Sequence, residues 1–200
     1  FATVDGQDYY STKNSDIVTV EVEGGPLSFE QGGAITCAYG DETFTNAARM
    51  DDSTEGFTYS SSDETVATVN PSTGEVTIVG AGSAVITAKK EDVTGQYRLT
   101  VLPITVGLEW SGTEERVYDG QPSKVTATAT GLLGDDEVQV TVSGGREKDA
   151  GTYTAAAVSL NNRNYALPEG ASASYTIIPK PSTALDWSDT KLTYTGRPLA

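Results

Sequence analysis

The chain has 200 residues, of which 37% are hydrophobic and 20% charged, a balance that allows one or two domains with a buried core. Its net charge of −15, with 13 Lys and Arg scattered and no basic patch, argues against nucleic-acid binding and against attachment to an anionic membrane surface. It has no His and a single Cys, which excludes His-centred catalytic triads and an intrachain disulfide.

In chain order, Ile17-Val18-Thr19-Val20-Glu21-Val22 alternates as a strand and is stopped by Gly24-Gly25-Pro26. Strand signals then recur at short spacing: Ala34–Tyr39, Gly56–Tyr59, Thr65–Val69, Glu75–Val79, Ser83–Ala88 and Gln96–Val101. A second series follows at Glu115–Tyr118, Lys124–Thr130, Glu137–Val142, Tyr153–Leu160 and Ala173–Ile178. Most alternate apolar residues with Thr, Ser or charge, as a sheet with one wetted face requires. The connections carry turn chemistry, as in Asn70-Pro71-Ser72-Thr73-Gly74 and Gly144-Gly145. No window shows a helical stripe, and none approaches the ~20 apolar residues of a membrane span. The pattern predicts an all-β chain of tandem β-sandwiches, with Val66, Val69, Val76, Ile78, Val85 and Ile86 in the core of the first.

A repeat sets the organisation. Leu108-Glu109-Trp110-Ser111 is followed by Tyr118-Asp119-Gly120-Gln121-Pro122, and Leu185-Asp186-Trp187-Ser188 by Tyr194-Thr195-Gly196-Arg197-Pro198. Val101-Leu102-Pro103 and Ile177-Ile178-Pro179 mark matching seams. The resulting division is an N-terminal strand or tail at 1–24, modules at 25–102 and 103–179, and the truncated start of a second repeat at 180–200. The proline-bearing joints Leu102-Pro103 and Pro179-Lys180-Pro181 read as semi-rigid. The chain does not open on Met, so any export signal or wall anchor is expected outside it. The segments 1–24 and 180–200 are expected to dock on a neighbouring sheet.

The run from Tyr59-Ser60-Ser61-Ser62-Asp63-Glu64-Thr65-Val66-Ala67-Thr68-Val69, through Thr73-Gly74-Glu75-Val76-Thr77-Ile78-Val79 and Gly80-Ala81-Gly82-Ser83, to Tyr97-Arg98-Leu99-Thr100-Val101 resembles the bacterial Ig-like group 2 family. Tyr59 stands where that family often has Trp. Residues 103–179 resemble the MBG-type repeats of bacterial surface proteins, through Tyr118-x-Gly120-x-Pro122, Gly151-Thr152-Tyr153, Asn161-Asn162-Arg163-Asn164-Tyr165 and Tyr175-Thr176-Ile177-Ile178-Pro179. The resemblance implies Ig-like sandwiches, with a β-grasp-like sheet as the alternative for 103–179. It also implies an extracellular place at a bacterial cell surface and a link to adhesion.

Candidate chemistry is sparse. Asp51-Asp52 and Asp135-Asp136-Glu137 are acid pairs adjacent in sequence, as solvated turns have them. A glycosidase would set two acids across a cleft, and a calcium loop would space its ligands around a Gly bend. Asp63 reads as a turn closer and Cys37 as a small buried hydrophobe. Trp110 and Trp187 could stack on sugars, but their repeated position reads first as packing. Lys124 and Asn161–Asn164 hold the residue types of an isopeptide crosslink without its signature. No catalytic, cofactor or metal residue is assigned. The chain reads as a non-enzymatic spacer that projects an adhesive head, its partners the neighbouring modules. The second reading is an adhesin module that itself binds host glycan, mucin or protein.

Overall fold

The computed structural model describes residues 27–51 and 53–182. The strand at Ile17–Val22 and the repeat elements at Leu185–Pro198 lie outside the described residues, as do the expected docking of 1–24 and all of 180–200 past Ser182. The chain divides into two compact units between Ile104 and Thr105.

The first unit holds β1 (Ser28–Phe29), β2 (Ala34–Ala38), β3 (Phe44–Thr45), β4 (Ala48–Arg49), β5 (Thr58–Ser61), β6 (Ala67–Val69), β7 (Glu75–Ile78), β8 (Gly82–Lys90) and β9 (Val93–Leu102). One sheet runs β2-β9-β8-β5, a second runs β3-β7-β6, and β1 pairs with β4. The longest ladder is the β8–β9 hairpin, whose register sets Ala84 opposite Leu99, Ile86 opposite Tyr97 and Ala88 opposite Gly95. The inward face is bulkiest at Ile86 and Tyr97 and lowest at Ala88 and Gly95, where Leu27 packs against Gly95. Val66, Ala67 and Val76 meet Ala84, Ile86, Tyr97, Leu99 and Val101 to form the core.

The expected core needs one correction. Val66, Val76 and Ile86 are buried, and Val69 and Ile78 pack against them. Val85 faces the other side of its strand, opposite Arg98. Neighbouring residues of a strand point to opposite faces, so Val85 and Ile86 cannot both be inside. The small residue Ala84 holds the inward position.

Tyr97 is 2% exposed, and its hydroxyl has no hydrogen-bond partner. Its ring meets Phe29 edge to face with centroids 4.9 Å apart. Burial, and secondarily Tyr59 and Cys37, push its pKa up to about 12. The unfolded chain therefore ionises first. Stability is full below pH ~10, falls as pH rises toward the folded value, and is about 2–3 kcal/mol lower beyond it. Tyr97→Phe is expected to match or exceed the parent at pH 7 by up to ~1 kcal/mol, since it removes an unsatisfied polar group. It should also lose part of the fall between pH 10 and 12. Urea melts at pH 8 and pH 11 measure both effects, and an equal alkaline loss in parent and variant would refute the assignment.

The second unit begins within β10 (Ile104–Thr105) and continues through β11 (Gly107–Ser111), β12 (Arg116–Val117), β13 (Thr126–Thr130), β14 (Val140–Ser143), β15 (Gly151–Leu160), β16 (Tyr165–Ala166) and β17 (Ser172–Ile178). A four-stranded sheet runs β12-β17-β15-β14, and β11 pairs with β13. Val125, Ala155, Tyr175 and Ile177 form the core, with Trp110, Tyr118, Val142 and Tyr153 packed on it. These residues come from both sheets, as in a two-layer sandwich. The described residues of this unit are all-β, with no helix.

Candidate functional site

The most distinctive sequence feature, Tyr118-Asp119-Gly120-Gln121-Pro122, folds as a turn around the guanidinium of Arg116. Arg116 pairs with the Asp119 carboxylate and donates to the carbonyls of Gln121 at 3.1 Å and Pro122 at 3.3 Å. Asp119 also accepts the Gln121 N–H at 2.9 Å. That backbone bond first, and Arg116 second, hold the Asp119 carboxyl below its usual range. Gly120 has φ +80, a left-handed position that glycine takes without strain. The Tyr118 N–H donates to Ile178 O at 2.9 Å, tying the turn to the last strand. The Arg116 and Asp119 charges of the motif are thus spent on the turn, and the Tyr118 ring packs on the core. Trp110 lies on β11 against the core, as its repeated position predicts. Trp187 lies outside the described residues.

Asp63 and Asp136 are likewise engaged within the fold. Asp63 accepts from Thr65 N at 2.9 Å and Thr65 Oγ1 at 2.7 Å, closing the turn into β6. Asp51 adopts φ 55 in an exposed turn, and Asp52 lies outside the described residues. In the 133–136 turn, Asp136 accepts the Tyr165 hydroxyl at 2.6 Å. Among the described residues, no group of three or more acids and Cys is placed to hold a metal. Cys37 lies half-buried on β2. Burial first, and Asp41 second, raise its thiol pKa, so the thiol is protonated at neutral pH. Lys124 is exposed before β13. Asn161 accepts the Gln139 N–H at 2.7 Å from 22 residues away, and Asn162 accepts the Asn164 N–H at 3.0 Å to close a turn.

Tyrosine hydroxyls form a recurrent long-range polar device. Tyr59 accepts the Ala48 N–H at 3.0 Å, bridging β5 to β4. Tyr165 accepts the Leu133 N–H at 2.9 Å. Tyr175 donates to Gly144 O at 2.8 Å and accepts the Glu147 N–H at 3.3 Å. All three rings are buried. Tyr59 also covers the hairpin turn, where a Cβ on Gly74 would sit 2.7 Å from the ring while the backbone holds φ +73. A buried Asn46 plays a similar part, accepting from Gln31 N and donating to Gly32 O. These partners are 11 to 32 residues away in sequence, and the only advance signal was the tyrosines in the repeat motifs.

The two units thus define a tandem of β-sandwich modules whose notable residues serve the fold. Residues 40–101 match the bacterial Ig-like domain (group 2), and residues 112–183 match the MBG domain (YGX type). The chain carries one domain of each family in that order, and both are non-enzymatic domain families of surface proteins. No curated protein matches the sequence. Solved structures similar to it include one on Dscam isoform specificity, at 8% identity over 80% of this chain and 47% of that chain, with a TM-score of 0.39. Human protocadherin-24 EC1-2 matches at 14% identity over 80% and 100% of the two chains, with a TM-score of 0.35. Domains 5-6 of the S-layer protein SbsC match at 14% identity over 80% and 99%, with a TM-score of 0.33. The chain spans about half the length of the Dscam structure.

Proposed function

We propose that the chain is a non-enzymatic spacer in a bacterial cell-surface protein, holding an adhesive region away from the cell under tension. The observation that carries this reading is the pairing of early with late strands. In the first unit β2 runs parallel to β9 over five register pairs, Ala34↔Arg98 to Ala38↔Leu102. The ladder is extended by Arg98 N to Gly33 O and Tyr39 N to Leu102 O. In the second unit β12 runs parallel to β17 through Arg116↔Ile177 and Val117↔Ile178. Tension applied at the two ends of such a unit shears a parallel ladder, so its hydrogen bonds resist together instead of opening one by one. The lack of an exposed aromatic among the described residues favours the same reading.

Exchanging residues 27–182 on the cell surface for two unrelated β-sandwich modules of equal length is the test. Adhesion by the intact cell should persist after the exchange and fall when the segment is deleted. Loss of adhesion in the exchanged protein, with display unchanged, would favour direct binding by these modules.

A further inference from the structure

We propose that the outward face of the β2-β9-β8-β5 sheet docks a linear acidic polysaccharide, with Lys89 and Arg98 as its two anion contacts. The chain carries 28 acids, yet these four strands contain no Asp or Glu. They do contain cations. Lys90 is taken up over the Phe57 ring, 5.2 Å from its centroid, and by Ser53. Lys89 and Arg98 are exposed, and neither joins an ion pair among the described residues. The unit's other Arg, Arg49, faces Glu30 at 3.8 Å. Lys89 and Arg98, exposed and outside any ion pair among the described residues, therefore share one face of an otherwise acidic unit, and the acids resume at its rim, in the Glu91-Asp92 turn.

The register gives the face its order. Lys89 lies between Thr58 and Thr94, Thr87 lies opposite Gln96, and Arg98 comes two ranks further along β9. Four residues separate the Thr94 rank from Arg98, so the two cation-bearing ranks are about 14 Å apart at the ~3.4 Å rise of an antiparallel strand. Between them lie hydroxyl and amide groups, with Gln96 Nε2 donating to Thr87 Oγ1 at 3.2 Å. Charge complementarity selects an anionic occupant. The surface chemistry separates polysaccharide from acidic protein: protein interfaces centre on aromatic and other large apolar anchors, whereas these ranks offer hydroxyls and one amide between two spaced cations, with the half-exposed Val85 beside Arg98 and no aromatic. Such a surface suits a polyhydroxylated chain with an acid group every few sugars.

This goes beyond the spacer reading and stands or falls separately, since a spacer works with or without it. Binding of the full chain to polygalacturonate is measured by biolayer interferometry, with dextran as the neutral polymer and polyglutamate as the acidic-protein stand-in. The expected result is binding to polygalacturonate over both. Lys89→Gln with Arg98→Gln should weaken it at least tenfold at an unchanged melting temperature, while Lys124→Gln in the second unit leaves it within twofold. In the parent protein, amide shifts on titration should cluster on β5, β8 and β9, a readout independent of any variant's folding. No binding, equal binding to dextran, preference for polyglutamate, insensitivity to the double substitution, or shifts centred elsewhere would each overturn the proposal.

Discussion

Tyr175→Ala is expected to leave the second unit unfolded at 37 °C. Tyr175 is 2% exposed and is the largest of the four buried residues that cluster in this core among the described residues, with Val125, Ala155 and Ile177. Truncating a buried aromatic costs about 3–5 kcal/mol. The same change strips Gly144 O and Glu147 N of the hydroxyl that serves both, and a part-buried hydrogen bond contributes about 0.5–1.5 kcal/mol. A domain of this size holds only about 4–12 kcal/mol in total. No disulfide makes up the difference, because the chain has one Cys. Tyr175→Phe keeps the ring and isolates the hydroxyl, and should cost about 1–3 kcal/mol. Amide exchange in β13, β15 and β17 of the full chain reads both variants. Native-like protection in Tyr175→Ala would show that the unit is not organised around this ring.

In the first unit, Leu99→Ala is expected to cost about 2–5 kcal/mol, whereas Val85→Ala should stay within about 1 kcal/mol. The two residues lie on adjacent strands of one hairpin but on opposite faces. Leu99 is fully buried opposite Ala84, a residue too small to refill the space. Val85 sits half-exposed beside Arg98. Urea denaturation of the two variants settles which face of β8–β9 is the core, and a larger loss from Val85→Ala would invert the assignment.

Where the chain alternates cleanly, the fold could be read from residues alone. β7, β8, β9, β15 and β17 fall close to the expected spans, because their inward residues recur every second position. The turns at Asp63 and at Asn70–Gly74 were equally legible, since a carboxylate or an amide beside Gly states its own chemistry. The phase of β8 was not. Ala84 and Ala88 are the buried residues, but alanine is a weak hydrophobic signal beside Val85. The two-residue strands β1, β3, β4, β10 and β16 carry no period to detect. The strand expected from Thr65 starts at Ala67, because the Asp63 carbonyl takes the N–H groups of Val66 and Ala67 into a turn. β11 was noticed for its repeated Trp and not for its Leu108/Trp110 alternation. The parallel pairing of β2 with β9 joins residues about sixty apart, and no local pattern encodes it. The tyrosine hydroxyl bonds, which span 11 to 32 residues, likewise leave no local pattern.

The central claim is that the first unit resists tension because its early and late strands form a parallel ladder. Single-molecule pulling on the full chain tests it by changing only the direction of force. With handles at the two chain ends, the β2–β9 ladder is sheared. With handles at residue 27 and at the Asp92 turn, the same ladder is peeled from the end where Gly33 and Arg98 meet. The account predicts a rupture force several-fold higher in the first geometry than in the second. Equal forces in both directions would contradict it.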